Sequence, residues 1–523
     1  MSKRITILCL LAVVILTTGF LVYGLKGGFV KPADFAIIER PAKIYPDYNS
    51  TVIPPNISPL NFMVKEPGTY YAVRIYGRTG RAIELGGKSP KIIIPAKRWH
   101  TLLENNKGTD VHFEIFVRTA ENRWVRFAPI TNRVANEAID GYAVYRRMPP
   151  SHYPDSGRVG IYQRNLNNFD ETLILDHHRY GAGCVNCHTL WENQAGKVML
   201  GVRCEKGGQN TILIEGGKAS RINAKFGYTT WHPSGRLAAF SINKLPIIFH
   251  TAGDKLYDTI DTDSAIAYYD CESKTVRTSP EFSKKENLET WPAWSGDGRY
   301  LYFCNTKKTW TDLNEILEKG YEKIKYDLVR ISYDVNEDRW GNVETALSSQ
   351  QTGLSISMPR ISPDNRWLIF CMGDYGYFPP WEKSSDLYII DLKAAEQTGR
   401  FEYRRLKINS DRSEAWHSWS SNSQWLIFSS KRDYGDFTRS YISYVDEKGR
   451  VYKPFVLPQK DPEFYAYCLD TFNTPEFAVG EIVVRGKQLV QAIFGPAGTT
   501  VAMPITMATP KIDAVPVQGQ TLE

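Results

Sequence analysis

Along most of the chain, hydrophobic positions alternate with polar ones at the period of two that half-buried strands require. Over residues 60–150, TYYAVRIYG (69–77), KIIIPA (91–96), VHFEIFVR (111–118) and RWVRFAP (123–129) read as strands, with GRTGR, ENNKGTD and AEN as turns. Four or more strands in that span predict a small β-sandwich of fibronectin or immunoglobulin type. From about residue 225 the alternation returns as a repeat. TWHPSGRLAAFSIN (230–243), AWSGDGRYLYFCN (293–305), RISPDNRWLIFCM (360–372) and SWSSNSQWLIFSS (418–430) align without gaps. Each has a bulky apolar residue (Trp231, Trp294, Ile361 or Trp419), a polar turn and a strand. A further strand near an acid follows each: SAIAYYD, YDLVRISYD, SDLYIIDL and SYISYVD. One repeat is therefore a three- or four-stranded antiparallel sheet, and such sheets bury both faces by stacking radially as propeller blades. A degenerate unit over 197–222 (VMLGVRC, NTILIEGG, KASRI) makes five blades, and EIVVRGKQLVQAIF (481–494) is predicted as a strand closing a sixth.

Two stretches lack this alternation. MSKR precedes ITILCLLAVVILTTGFLVYGL, an uncharged apolar run from Ile5 to Leu25. A bilayer-spanning helix needs roughly 20 residues, and Lys3 and Arg4 favour an inside N-terminus with an exported body. The run exceeds the roughly 7–15 residues of a cleaved signal core, so an uncleaved anchor is expected over 1–25. Residues 26–59 carry Pro32, Pro41, Pro46, Pro54, Pro55 and Pro59 and read as a stiff tether. Composition sharpens this little. Aromatic residues are 13%, with 30 Tyr and 13 Trp, which agrees with β-sheet. The net charge is +7 with no long Lys/Arg run, which argues against a nucleic-acid partner.

Within GAGCVNCHTLW (181–191), Cys184 and Cys187 stand three apart and His188 follows at once. Three chemistries use such a pattern. Covalent haem c needs two thiols for the porphyrin vinyls and the next His for the iron. A structural zinc needs four ligands, and no second CxxC, CxxH or HxxxH exists to complete them. A redox dithiol wants a βαβ setting, and the surroundings are β-rich. Haem c is the expectation, and an exported body is where such attachment occurs. For a second axial ligand, His232 ranks first because other repeats hold Ser295, Ser362 and Ser420 at its position. Met199, on the next predicted strand, ranks second, and five-coordinate iron is a further option. His177, His178, His250 and His417 read as solvated or structural. Cys304 and Cys371 share a repeat slot with Ser241 and Ser429, which predicts buried free thiols rather than a bridge. The carboxylate pairs in DTIDTD (258–263) read as a solvated loop or a metal-friendly turn with no partner, and no GxSxG, HExxH or glycine-rich phosphate loop stands in a suitable context.

WPAWSGDG (291–298) and MPRISPDN (358–365) resemble the blade-opening turn of the TolB-like propeller family, and SWSSNS does so more weakly. YQRNLNNFDETLILD (162–176), then CxxCH, then the propeller, resembles a group of uncharacterised Bacteroidetes membrane-anchored, cytochrome-like proteins. The resemblance implies an envelope cytochrome-like protein and names no substrate. The expected organisation is mainly β: anchor 1–25, tether 26–59, β-sandwich-like domain 60–150, haem-attachment segment 151–196, five- or six-bladed TolB-like β-propeller 197–495 and tail 496–523. The expected function is that of a periplasmic monohaem c-type protein tethered to the inner membrane. It would transfer electrons or sense redox state and would dock a redox or envelope-complex protein on its propeller. The alternative is a propeller that binds a ligand or protein while the haem is structural. A stand-alone enzyme is not the expectation.

Overall fold

The computed structural model describes residues 28–149, 159–181, 183–204, 208–250, 255, 257–310, 314–316 and 320–496. The anchor expected over 1–25, and the tail after Pro496, lie outside the described residues. Among the described residues no helix is long and apolar enough to cross a membrane.

Six four-stranded antiparallel sheets form the larger part. Five run in simple chain order from the inside outwards. The second blade holds Gly183–Trp191, Gln194–Cys204, Gly208–Glu215 and Lys218–Ile222. The third opens with Gly227–Trp231, the fourth with Asn287–Trp294, the fifth with Ser355–Ile361 and the sixth with Glu414–Trp419. The first blade is composite. Its outer strands are Tyr142–Met148, Gly160–Asn165 and Glu171–Asp176, and its innermost strand is Thr471–Ala478 from the other end of the chain. Neighbouring innermost strands touch in cyclic order all the way round, which makes the architecture a closed six-bladed propeller.

Three expectations are corrected. The closing strand is Thr471–Ala478, whereas Lys487–Phe494 is a helix that buries Leu489 and Ile493 on one side. Those two residues stand four apart, so the stretch obeys the helical period that its Val and Ile content had obscured. Next, the segment 151–196 is no separate attachment module: its described residues build the first and second blades, and the propeller begins at Tyr142. Finally, residues 28–59 are no free tether. Ala36–Pro41 and Val52–Ile53 pair in parallel with Trp124–Ala128 and Ile130–Val134, and Tyr48, Ile53 and Ile57 are buried. The proline-rich chain is held because apolar residues between the prolines have a core to enter.

The N-terminal region is a seven-stranded mixed sheet beside a three-stranded sheet, rather than an all-antiparallel sandwich. KIIIPA supplies only Lys91–Ile92 before Ala96–Glu104 turns helical, burying Trp99, Leu102 and Leu103. One hydrophobic core runs from this region into the fifth and sixth blades. Trp425 Nε1 donates to the Glu137 carbonyl at 3.3 Å and Asn61 Nδ2 to the Lys460 carbonyl at 2.9 Å across the junction.

The axial channel and the CxxCH strand

Each innermost strand carries a β-bulge at the equivalent position, seen as a register shift against its neighbour. In every case a non-glycine residue adopts positive φ: Cys187 (51°), Tyr228 (51°), Trp291 (57°), Met358 (53°), Trp416 (53°) and Thr474 (49°). Each such residue costs of order 1 kcal/mol or more, so six of them mark a feature the fold maintains. The bulge aims these side chains, with their followers His188, Thr229, His417 and Pro475, into a cavity on the propeller axis. The Cys-His of the motif therefore occupies the slot that Trp-Pro, Met-Pro, Trp-His and Thr-Pro fill in other blades. Aligning CHTL with WPAW, MPRI, WHSW and TPEF would have shown this from the sequence.

Cys184, Cys187 and His188 lie on the innermost strand of the second blade, and both thiols are free and half-buried. Asn186 Oδ1 accepts from the Cys187 amide at 2.9 Å and holds the bulge. Burial pushes the Cys184 thiol up, but the guanidinium groups of Arg146 and Arg203 outweigh it and hold the thiol below its ordinary range. Arg146 Nη2 donates to Cys184 Sγ at 3.1 Å. His188 is buried, and burial together with Arg146 and Arg360 pushes its imidazole down to about 4, so the ring is neutral near pH 7. The main chain at Val144 and Thr474 lies nearby, but neither ring nitrogen makes a well-formed hydrogen bond. His417 in the equivalent slot is satisfied: Nε2 meets the Ile369 carbonyl at 3.0 Å and Nδ1 meets Cys371 Sγ at 3.8 Å.

The two candidates for a second axial ligand are placed elsewhere. Met199 is fully buried in the hydrophobic cluster with Leu213, Phe226 and Trp231. His232 sits in the turn after its strand, with Nδ1 2.8 Å from Ser234 Oγ and Nε2 3.2 Å from the Gly298 carbonyl. Ser295, Ser362 and Ser420 clasp the residue two places on in the same way, so His232 performs the turn's own task. The Met and His side chains that line the axial cavity with His188 are Met358 and His417. His177 and His178 stack on each other in a short turn, and His250 bonds Asp258 at 2.6 Å. DTIDTD is not a solvated loop: Asp258 and Asp261 are buried.

Three cavities follow one another along the axis, sharing lining residues. The central one, around His188, measures about 30 Å³. One water needs roughly 10–15 Å³, so it has room for a couple of waters. Beyond Tyr228, Trp416 and Thr474 a further cavity of about 70 Å³ is lined by Asn186, Arg146, Tyr257, Trp381 and Lys431. Burial pushes the Lys431 ammonium down to about 8. At the other end a chamber of about 450 Å³ opens among the turns that follow the innermost strands. Between chamber and centre, the position after each bulge pair is Thr189, Thr230, Ala293 or Ser418 in four blades, and Arg360 and Glu476 in the other two. Burial pushes the Glu476 carboxyl up to about 7 against the pull of Arg360. Sequence reasoning missed this ring, although its positions follow the same alignment.

The donor set would suit a covalent haem: two free thiols at thioether spacing, one held below its ordinary range by Arg146 and Arg203, beside a buried imidazole without well-formed hydrogen bonds. The space around His188, about 30 Å³, is too small for a macrocycle, so a haem there would need the strand or its neighbouring rings to give way.

No family model matches this sequence, and no curated protein does. Among solved structures the chain is distantly similar to a TolB structure from Agrobacterium tumefaciens. The identity is 14%, coverage is 64% of this chain and 98% of that one, and the TM-score is 0.33. For the periplasmic gluconolactonase of Pseudomonas aeruginosa the values are 12%, 61%, 97% and 0.33. For the hydrazine synthase of Kuenenia stuttgartiensis they are 10%, 55%, 70% and 0.32. The chain thus shares a distant likeness with TolB-like propeller proteins, and its own sheet order carries the fold assignment.

Proposed function

We propose that this chain is a c-type haem protein of the cell envelope, anchored in the inner membrane by residues 5–25, with its body in the periplasm. It would transfer electrons or sense redox state, with the propeller as the docking platform for a redox or envelope-complex protein. Cys184 and Cys187 would hold the porphyrin as thioethers and His188 would ligate the iron. The group would supply one-electron redox chemistry. The observation that carries the reading is the contrast between two equivalent histidines. His417 engages both ring nitrogens, while those of His188 lie near the Val144 and Thr474 main chain without a well-formed hydrogen bond. The chain's own residues contribute in three ways. Arg146 and Arg203 favour the thiolate at Cys184, the form that adds to a vinyl group. Burial keeps His188 neutral and so able to donate a lone pair. The bulge at Cys187 fixes the turn between the second thiol and the imidazole.

The test is to express the full chain with haem-maturation machinery and weigh the tryptic fragment carrying Cys184 and Cys187. The expected result is the added mass of one haem, with peroxidase-active staining that survives denaturing electrophoresis and disappears when both cysteines become Ala. An unmodified fragment from mature protein ends the proposal. The second reading, in which the propeller binds a ligand or protein while the haem is structural, is favoured by the motif's location. A group fastened to an innermost strand would brace two blades. A redox-silent iron together with loss of folding in the double Ala variant would select that reading.

A further inference from the structure

We propose that the wide end of the axial channel is a binding site for a small organic monocarboxylate, with Arg360 as its anion anchor. This goes beyond the haem reading and does not depend on it. The chamber's volume, about 450 Å³, falls in the roughly 300–1,000 Å³ range of small-molecule sites. Arg360 lines both the chamber and the cavity behind it, and its guanidinium has no hydrogen bond or ion pair with any described residue; only its carbonyl is used, accepting from Trp419 Nε1 at 3.2 Å. The position is occupied by small residues in four other blades, so the propeller does not require an arginine there.

Burial works against the half-buried Arg360 guanidinium, and Glu476 offsets this through space without closing an ion pair. Glu476 Oε2 accepts from the Leu190 amide at 3.2 Å, and Glu476 makes no hydrogen bond with Arg360. The five donors of Arg360 are thus left for a ligand, and their planar fork matches a carboxylate in bidentate fashion. Glu476 and Glu192 on the walls weigh against a dianion such as phosphate, since one guanidinium balances only one charge. Trp231, Trp294 and Trp419 supply apolar surface for the organic part of the ligand.

Benzoate is the probe, with benzamide as its neutral counterpart and inorganic phosphate as the competing anion. Titration calorimetry on the full chain is expected to show saturable benzoate binding, none with benzamide, and no displacement by phosphate. Arg360→Gln is expected to weaken benzoate by about tenfold or more, the scale of a lost charge-assisted contact. Arg360→Lys, which keeps the charge and loses the fork, should fall between. Should Arg360→Gln not fold, the wild type decides: phenylglyoxal should modify Arg360, and benzoate should protect it, as read by peptide mass. Absent benzoate binding, equal binding by Arg360→Gln, preference for phosphate, or modification of Arg360 unaffected by benzoate would each overturn the assignment.

Discussion

The ring is closed by one strand, and its strength can be worked from Phe472. This ring is fully buried on Thr471–Ala478, opposite Arg147 of the neighbouring strand. Its centroid lies 5.2 Å from Tyr145 and 6.0 Å from Tyr465, both edge-on. The guanidinium groups of Arg147 and Arg439 stand 5.7 Å from it. Phe472→Ala removes the transfer free energy and leaves a cavity, together about 3–5 kcal/mol. The cation–π contacts add about 0.5–1 kcal/mol each, of which part is retained because Arg439 also covers Tyr434, Phe437 and Tyr465. The expected loss is therefore about 4–5 kcal/mol, a large share of the roughly 5–15 kcal/mol that holds an ordinary domain folded. Urea unfolding followed by tryptophan fluorescence measures it, with Phe472→Leu expected to restore more than half. A loss below about 1 kcal/mol for Phe472→Ala, at unchanged urea slope, would show that the C-terminal strand is not integral to the ring.

Other expectations follow from the same structure. Asp261 is buried, with Oδ1 unpartnered and Oδ2 taking bonds of 3.3 Å from Asn243 and Tyr326, and burial pushes its carboxyl up to about 7. The folded state therefore holds its proton more tightly than the unfolded chain, so its contribution is full below pH 3.8 and lost as pH rises to about 7. Across that window Asp261→Asn should gain stability relative to wild type by up to roughly 4 kcal/mol, at 1.36 kcal/mol per unit; unfolding midpoints that shift in parallel from pH 4 to 8 would contradict this. In chain made without haem, Cys184 should alkylate faster at pH 7 than Cys271, whose thiol burial pushes up to about 12, and Arg146→Gln should slow it severalfold; peptide mapping after timed iodoacetamide exposure reads both. Gly298→Ala should cost about 2 kcal/mol, since φ is +72° and a Cβ would stand 2.4 Å from His232 Nε2. Adding His232→Ser, the residue other blades use, should recover part of the thermal shift.

The repeat was legible because the turn after each innermost strand is short and polar and makes a side-chain clasp, as Ser295 with Asp297 and Ser362 with Asp364. The strands that follow it alternate cleanly. The innermost strands themselves were not legible, because a bulge at positions such as Cys187 and Met358 breaks the period of two on which strand reading depends. That break hid the kinship of CHTL with WPAW, and with it the ring that holds Arg360 and Glu476. Pairing of Tyr142–Met148 with Thr471–Ala478 joins ends of the chain that no local pattern connects. The thiols and the imidazole were legible because they fall within five consecutive residues. The surroundings that decide their chemistry, Arg146 and Arg203 beside Cys184, come from other strands. His232 misled because an unusual residue in a turn looks purposeful until its clasp to Ser234 is seen.

The composite first blade also sets an order of events in time. As the chain is made from its N-terminal side, Cys184 and Cys187 emerge long before Thr471–Ala478 exists to complete the circle. Until then the second blade lacks one flank, and its inner edge faces open solvent rather than a crowded axis. Any chemistry that must reach those sulphurs with a bulky reagent has its opportunity before the polypeptide is finished, and the last strand shuts that window.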